Sequence, residues 1–163
     1  MGLVMDFQLA ELPHVIESMQ AHQKQVLIHL DLIKGLASDQ YGAIYCIQTF
    51  NIAGIITSKP RVISICKKRG VIGILRVFLK DRHALKKGLD VIDECKPDII
   101  EVLPYMPQIL PTIQKHFDKP IFMGGLITQQ NHIVQCLEQG ANSITTSSHE
   151  LWEYEPVKLE RKI

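Results

Sequence analysis

Met123-Gly124-Gly125-Leu126 and, one unit later, Thr145-Thr146-Ser147-Ser148 decide how this chain is read. Each follows a strand-like run, Pro120-Ile121-Phe122 and Asn142-Ser143-Ile144, and each precedes a helix-like stretch. Gly-Gly lets a backbone come close to a ligand, because no Cβ stands in the way. Thr and Ser add hydroxyls and free backbone N–H groups. Two such turns closing an alternating strand–helix chain match the phosphate site of a (β/α) barrel, which is built from the loops after the last two strands. On this reading Gly124, Gly125, Thr146 and Ser147 hold a phosphate. Taken singly, each turn also has a structural explanation: Gly-Gly lets a helix pack close, and Ser or Thr caps one.

Short apolar runs recur at regular intervals along the chain: Gly2 to Asp6, Val26 to Leu32, Gly54 to Ser58, Val71 to Leu79, Ile99 to Pro104, Pro120 to Gly125 and Ser143 to Ser147. Amphipathic stretches lie between them. Leu85, Leu89 and Ile92 share a face, as do Ile109, Leu110, Ile113 and Phe117, and Ile133, Val134 and Leu137. Gly70 and Gly140 stand where helices end in a left-handed residue, and Ser38 or Asp39 caps the helix carrying Tyr41. Strict alternation predicts an α/β chain with a parallel sheet. No Gly-x-Gly-x-x-Gly follows the first strand, which disfavours the dinucleotide-binding version. The expectation is one TIM-type (β/α) barrel domain over residues 1–163. A complete barrel has eight strands and about seven are readable here, so the first strand–helix unit is expected to be lacking.

Strands covered on both faces read as continuous apolar runs, and four positions break that rule. In Leu27-Ile28-His29-Leu30-Asp31, His29 and Asp31 lie two apart, which places both on one face of a strand. Arg76 interrupts the fourth run and Glu101 the fifth. An unpaired buried charge costs several kcal/mol, so these groups pair with one another, reach solvent or meet a ligand. Structure and function weigh evenly for His29, while Asp31 leans towards the ligand. For Arg76 and Glu101, an ion pair beneath the ligand competes with direct contact. Asp81 reads as a helix cap.

Composition narrows the function classes. Hydrophobic residues make up 46% and charged residues 21% of the 163, with a net charge of +1, so no global field recruits nucleic acid. No run approaches the roughly 20 apolar residues of a membrane span, and the N-terminus reads as a strand, not a secretory signal. Cys46, Cys66, Cys95 and Cys136 are scattered through helix-like segments, without a Cys-x-x-Cys pair, which suits buried thiols in the cytoplasm. No metal-ligand pattern, Walker loop or nucleophile elbow is present, and no cofactor is expected. Lys67-Lys68-Arg69, ending a helix, is the densest basic run. Lys59, Lys80 and Arg82 follow strand ends and are the preferred candidates for RNA phosphates, because they share the barrel end that carries ligands.

The linked set His29-Leu30-Asp31-Leu32-Ile33-Lys34-Gly35, Asp39-Gln40-Tyr41-Gly42-Ala43, Ala53-Gly54-Ile55-Ile56-Thr57-Ser58, Arg76-Val77-Phe78-Leu79, Lys96-Pro97-Asp98, Ile100-Glu101-Val102-Leu103-Pro104, Gly124-Gly125-Leu126-Ile127, and Thr145 to Ser148 with Leu151-Trp152 resembles the glycerol-3-phosphate-responsive antiterminators. The resemblance runs nearly the whole chain in order. It implies a non-catalytic, cytoplasmic barrel that senses glycerol 3-phosphate. When liganded, such a protein binds the leader mRNA of glycerol-use operons and prevents early termination of transcription. Carried over, Gly124, Gly125, Thr146 and Ser147 hold the phosphate, and His29, Asp31, Arg76 and Glu101 line the floor under the glycerol moiety. The family has a further N-terminal strand and helix, and tends to have Gly where this chain has Tyr105. A phosphate-barrel enzyme, an isomerase, aldolase or synthase acting on a sugar or glycerol phosphate, is the competing reading, since fold does not choose between them. Homo-oligomerisation is left open.

Overall fold

Seven short strands, each followed by a helix or helical turn, make up the described part of the chain, residues 1–155 of the computed structural model. The strands are β1 (Gly2–Val4), β2 (Val26–His29), β3 (Gly54–Thr57), β4 (Ile72–Phe78), β5 (Ile99–Leu103), β6 (Ile121–Gly124) and β7 (Ser143–Thr145). The helices are α1 (Leu12–Ala21), α2 (Gln40–Thr49), α3 (Pro60–Arg69), α4 (Arg82–Cys95), α5 (Leu110–Gln114) and α6 (Gln130–Glu138). All seven apolar runs are strands. The last eight residues of the expected domain, 156–163, lie outside the described residues.

The chain forms two compact units, Met1–Arg76 with Val91–Asp98, and Val77–Asp90 with the chain from Ile99 onward. In the first, β1, β2, β3 and β4 pair in parallel, with Leu27 opposite both Leu3 and Gly54, and Ile55 opposite Gly73. Its core joins Val4, Ile28 and Ile55 of the strands to Leu12 and Ile16 of α1, Ala43 and Cys46 of α2, and Val62 and Cys66 of α3. In the second, β5, β6 and β7 pair in parallel, with Val102 opposite Met123 and Met123 opposite Ile144. The strands β2 and β3 are buried along their whole length, as unbroken apolar runs require, while β7 is only partly buried.

The punctuation follows local chemistry. Asp39 caps α2 by accepting from the Tyr41 and Gly42 N–H groups at 2.9 and 3.0 Å. Gly70 ends α3 at φ +70°, and Gly140 precedes β7 at φ +101°. Lys67, Lys68 and Arg69 occupy the last turn of α3, where cations complement the helix dipole. Asp81 caps α4 by accepting from the Ala84 N–H at 2.7 Å.

One boundary differs from the period-two reading. β2 stops at His29, and Leu30–Leu32 form a 3-10 turn. Asp31 is therefore off the strand. The cause is a contact with another strand: the Asp31 carboxylate is drawn to the end of β3, where it accepts from the Thr57 hydroxyl, the Ser58 N–H and the Ser58 hydroxyl, each at 2.7 Å.

All four cysteines are buried, unbonded and helical. Burial pushes the Cys46 and Cys136 thiols up to about 11, and burial with the nearby Asp98 charge pushes Cys66 to about 12. Such thiols are packing groups, not nucleophiles. No helix among the described residues is long and apolar enough to cross a membrane.

Candidate functional site

The polar residues that interrupt apolar strands fall into one cluster in each unit. In the first unit, His29 ends β2 with 1% of its surface exposed, and Arg76 lies near the end of β4. An Arg76 Nη1–H donates to His29 Nε2. Guanidinium has no acceptor, so this bond fixes the tautomer: Nε2 accepts and the ring proton sits on Nδ1. That Nδ1–H is buried and has no hydrogen-bond acceptor among the described residues. Burial, reinforced by the Arg76 charge and opposed by Asp31, lowers the His29 pKa to about 4. His29 is thus a neutral, buried donor at neutral pH.

Asp31 is part-buried beside it. Burial pushes its carboxyl up, but the hydrogen bonds from Ser58 and Thr57 outweigh burial and hold it below the usual carboxylate range. Thr57, fully buried, also accepts from the Lys59 N–H at 3.1 Å. The Lys59 ammonium donates to the Ser38 hydroxyl, tying the loop before α3 to the loop before α2.

In the second unit, Glu101 is 2% exposed and accepts from the Thr145 hydroxyl at 2.7 Å, across β6. Gly124 explains how. It stands opposite Thr145 in the register, and a Cβ on it would lie 2.1 Å from the Thr145 Oγ1. The missing side chain leaves the space through which Thr145 reaches Glu101. Glu101→Ala is expected to cost about 2 kcal/mol or more, because the Thr145 hydroxyl loses its buried acceptor. Asp31→Ala should cost less, since two of its three partners belong to exposed Ser58. Urea melts of the two variants check this order, and equal midpoints would contradict it.

The two terminal turns are stapled together. The Thr146 and Ser148 hydroxyls both donate to the Ile127 carbonyl, at 2.7 and 3.2 Å. Thr146 Oγ1 also accepts from the Ser148 N–H at 3.1 Å. The Thr146 hydroxyl, read from sequence as a phosphate donor, is thus engaged in holding one turn to the other. Gly125 adopts φ +74° and Leu126 φ +60°, and Leu126 is 77% exposed. A non-glycine residue held there marks a backbone fixed by its surroundings. The N–H groups of Gly125, Leu126 and Ser147 donate to no protein group among the described residues. Unengaged amides on two joined turns can bind an anion.

Tyr105, which departs from the pattern, is tied to the Gly-Gly turn and to α6. Its N–H donates to the Gly125 carbonyl at 2.9 Å, its hydroxyl donates to Gln135 Oε1, and its ring stacks on His132 with centroids 4.4 Å apart. His132 Nδ1 in turn accepts from the Thr128 N–H at 3.4 Å. The ring braces the Gly-Gly turn against α6. Sequence reasoning missed this brace, and it named Trp152 only as part of the resemblance, without the bond by which its indole N–H donates to the Thr146 carbonyl at 3.1 Å. Lys80 and Arg82 are exposed around the end of β4 and the start of α4. Among the described residues, no group of three or more His, Cys, Asp or Glu could hold a metal ion.

The family model of the glycerol-3-phosphate responsive antiterminators matches residues 1–152. The chain belongs to that family. A glycerol uptake operon antiterminator regulatory protein from Listeria monocytogenes is 31% identical, with a TM-score of 0.90 over 94% of this chain and 83% of that one. A glycerol uptake operon antiterminator-related protein from Thermotoga maritima is 25% identical, with a TM-score of 0.84 over 93% and 87% of the two chains. Orotidine 5'-phosphate decarboxylase from Pyrococcus horikoshii, 13% identical with a TM-score of 0.62 over 86% of this chain and 76% of that one, shows the fold alone. The expected α/β, TIM-type barrel class is therefore the fold, and antitermination is the family's regulatory role.

Proposed function

We propose that this antiterminator-family protein senses glycerol 3-phosphate and, when liganded, binds the leader mRNA of glycerol-use operons to prevent early termination. The observation that carries the ligand assignment is the pair of stapled turns with unengaged N–H groups at Gly125, Leu126 and Ser147, in a family whose name states its effector. In this reading Gly124 and Gly125 allow close approach of a phosphate, Thr146 holds the turn in shape, and Ser147 supplies a donor. His29, Asp31, Arg76 and Glu101 serve the glycerol moiety, as the resemblance implies, with the His29 Nδ1–H as the buried donor.

The chemistry supports a sensor more than an enzyme. A general base needs a free acceptor with a pKa near the working pH. Asp31 already accepts three hydrogen bonds, and the basic nitrogen of His29 accepts from Arg76.

With a net charge of +1, RNA must meet a local basic surface. Lys59, Lys80 and Arg82 follow strand ends, and the Lys67–Arg69 run ends α3. The strand-end set is the RNA surface in this proposal, because the effector has to be coupled to RNA. Filter binding on leader RNA tests both parts. Glycerol 3-phosphate should tighten binding at least about fivefold. Replacing Lys59, Lys80 and Arg82 with Gln should weaken it and flatten the log–log salt slope by up to about two, for three phosphate contacts on a single strand. Loss only on replacing Lys67, Lys68 and Arg69 would move the surface to the helix end. Loss in neither set would remove RNA binding through both.

A further inference from the structure

We propose that Trp152 is a positioning residue that aims the Ser147 N–H at the phosphate, an inference that rests on the phosphate assignment above. One peptide unit carries both the Thr146 carbonyl and the Ser147 N–H. A trans peptide is planar, and its C=O and N–H point in opposite directions. The Trp152 indole N–H holds the Thr146 carbonyl at 3.1 Å. Holding that oxygen fixes the other end of the same plane: the Ser147 N–H must point away from Trp152. That N–H donates to no protein group among the described residues. If the plane turned over, the site would face a carbonyl oxygen in place of a donor, and an anion would be repelled.

The indole is itself held. The turn at His149–Leu151 brings it back, with the Leu151 N–H donating to the Ser148 carbonyl at 3.0 Å and the Trp152 N–H to the His149 carbonyl at 3.1 Å. Its ring stacks on His149, with centroids 4.2 Å apart. Trp152 is nevertheless 63% exposed. A large apolar ring left in water and fastened by its one polar atom contributes little to a core. Its service is to the carbonyl it holds. The Thr146 hydroxyl fixes the same residue from the other side through Ile127, so the peptide between Thr146 and Ser147 is anchored at its Thr146 end by two independent bonds.

Trp152 is the chain's single tryptophan, which gives the proposal a direct readout. Titration of the wild-type protein with glycerol 3-phosphate should change the indole emission and move the Ser147 amide proton downfield in a proton–nitrogen correlation spectrum. Trp152→Phe keeps a ring on His149 but removes the donor. It should weaken glycerol 3-phosphate binding by about tenfold, the size of one neutral hydrogen bond, with the urea midpoint nearly unchanged. If Trp152→Phe does not fold, His149→Ala, which frees the indole without removing its N–H, should give a smaller loss of affinity. Wild-type binding that shifts Gly125 and Leu126 but neither Ser147 nor the indole emission overturns the positioning role alone, as does unchanged affinity in folded Trp152→Phe. No shift at any amide in the wild type overturns the phosphate assignment and this inference with it.

Discussion

Gly125→Val is expected to abolish glycerol 3-phosphate binding and to destabilise the fold by about 3 kcal/mol. Gly125 sits at φ +74°, where an L-residue is strained and a β-branched one most of all. A Cβ there would also stand 3.0 Å from the Leu103 Cδ2 and 3.5 Å from the Pro104 Cα. Turning the backbone to relieve this strain would re-aim the Gly125 and Leu126 N–H groups. Gly125→Asn separates the two consequences. Asn tolerates the left-handed region, so it should fold close to normally. It should still lose affinity, because a side chain now stands where the backbone must approach the ligand. Isothermal titration and urea melts of both variants check this. A valine variant as stable and as tight as the wild type would remove Gly125 from the site.

Stability should fall by about 3 kcal/mol between pH 6.5 and pH 4, through His29 alone among the groups with resolved shifts. The folded pKa of His29 is about 4 against an ordinary value of 6.5. Between those values the unfolded chain takes a proton that the folded protein refuses, so stability rises with pH across this window. It is complete above pH 6.5 and declines as pH drops towards 4. Asp31 works in a different window. Its lowered carboxyl contributes stability that is present above 3.8 and is lost as pH falls further. His29→Gln keeps a carbonyl for Arg76 and removes this titration, so its stability should fall by about 3 kcal/mol less than that of the wild type over the window. Urea melts at pH 7, 6, 5 and 4.5 decide the matter, and parallel profiles for wild type and variant would contradict the buried neutral imidazole.

These predictions separate what the sequence carries from what it does not. All seven strands were legible, because each falls in a short run between turn residues and alternates with a helical pattern, even β7, which is only partly buried. Helix ends were legible where backbone chemistry forces a residue type, as at Gly70, Gly140 and Asp39. Asp31 was misplaced on a strand because period two says nothing about where a strand stops. It stops where the Ser58 and Thr57 donors capture the Asp31 carboxylate, and that contact joins residues distant in sequence. For the same reason the sequence did not reveal that the missing side chain of Gly124 also makes room for Thr145 to reach Glu101. Thr146 was read as a phosphate donor, when its hydroxyl staples two turns. Hydroxyls look alike in a sequence, and only their partners distinguish them. Trp152 gave one signal, its place just after the Thr-Thr-Ser-Ser turn, and nothing in the residue types foretold that its indole would return to Thr146.

Thermal unfolding with and without glycerol 3-phosphate tests the central claim most directly. A ligand that binds only the folded state stabilises it by about 2.7 kcal/mol at a hundred times its Kd, which raises the midpoint of a chain this size by about 5–10 °C. Glycerol at the same concentration should leave the midpoint unchanged, because it lacks the anion that the Gly125, Leu126 and Ser147 amides would hold. A midpoint unmoved by glycerol 3-phosphate at about 10 mM, or moved equally by glycerol, would contradict the account.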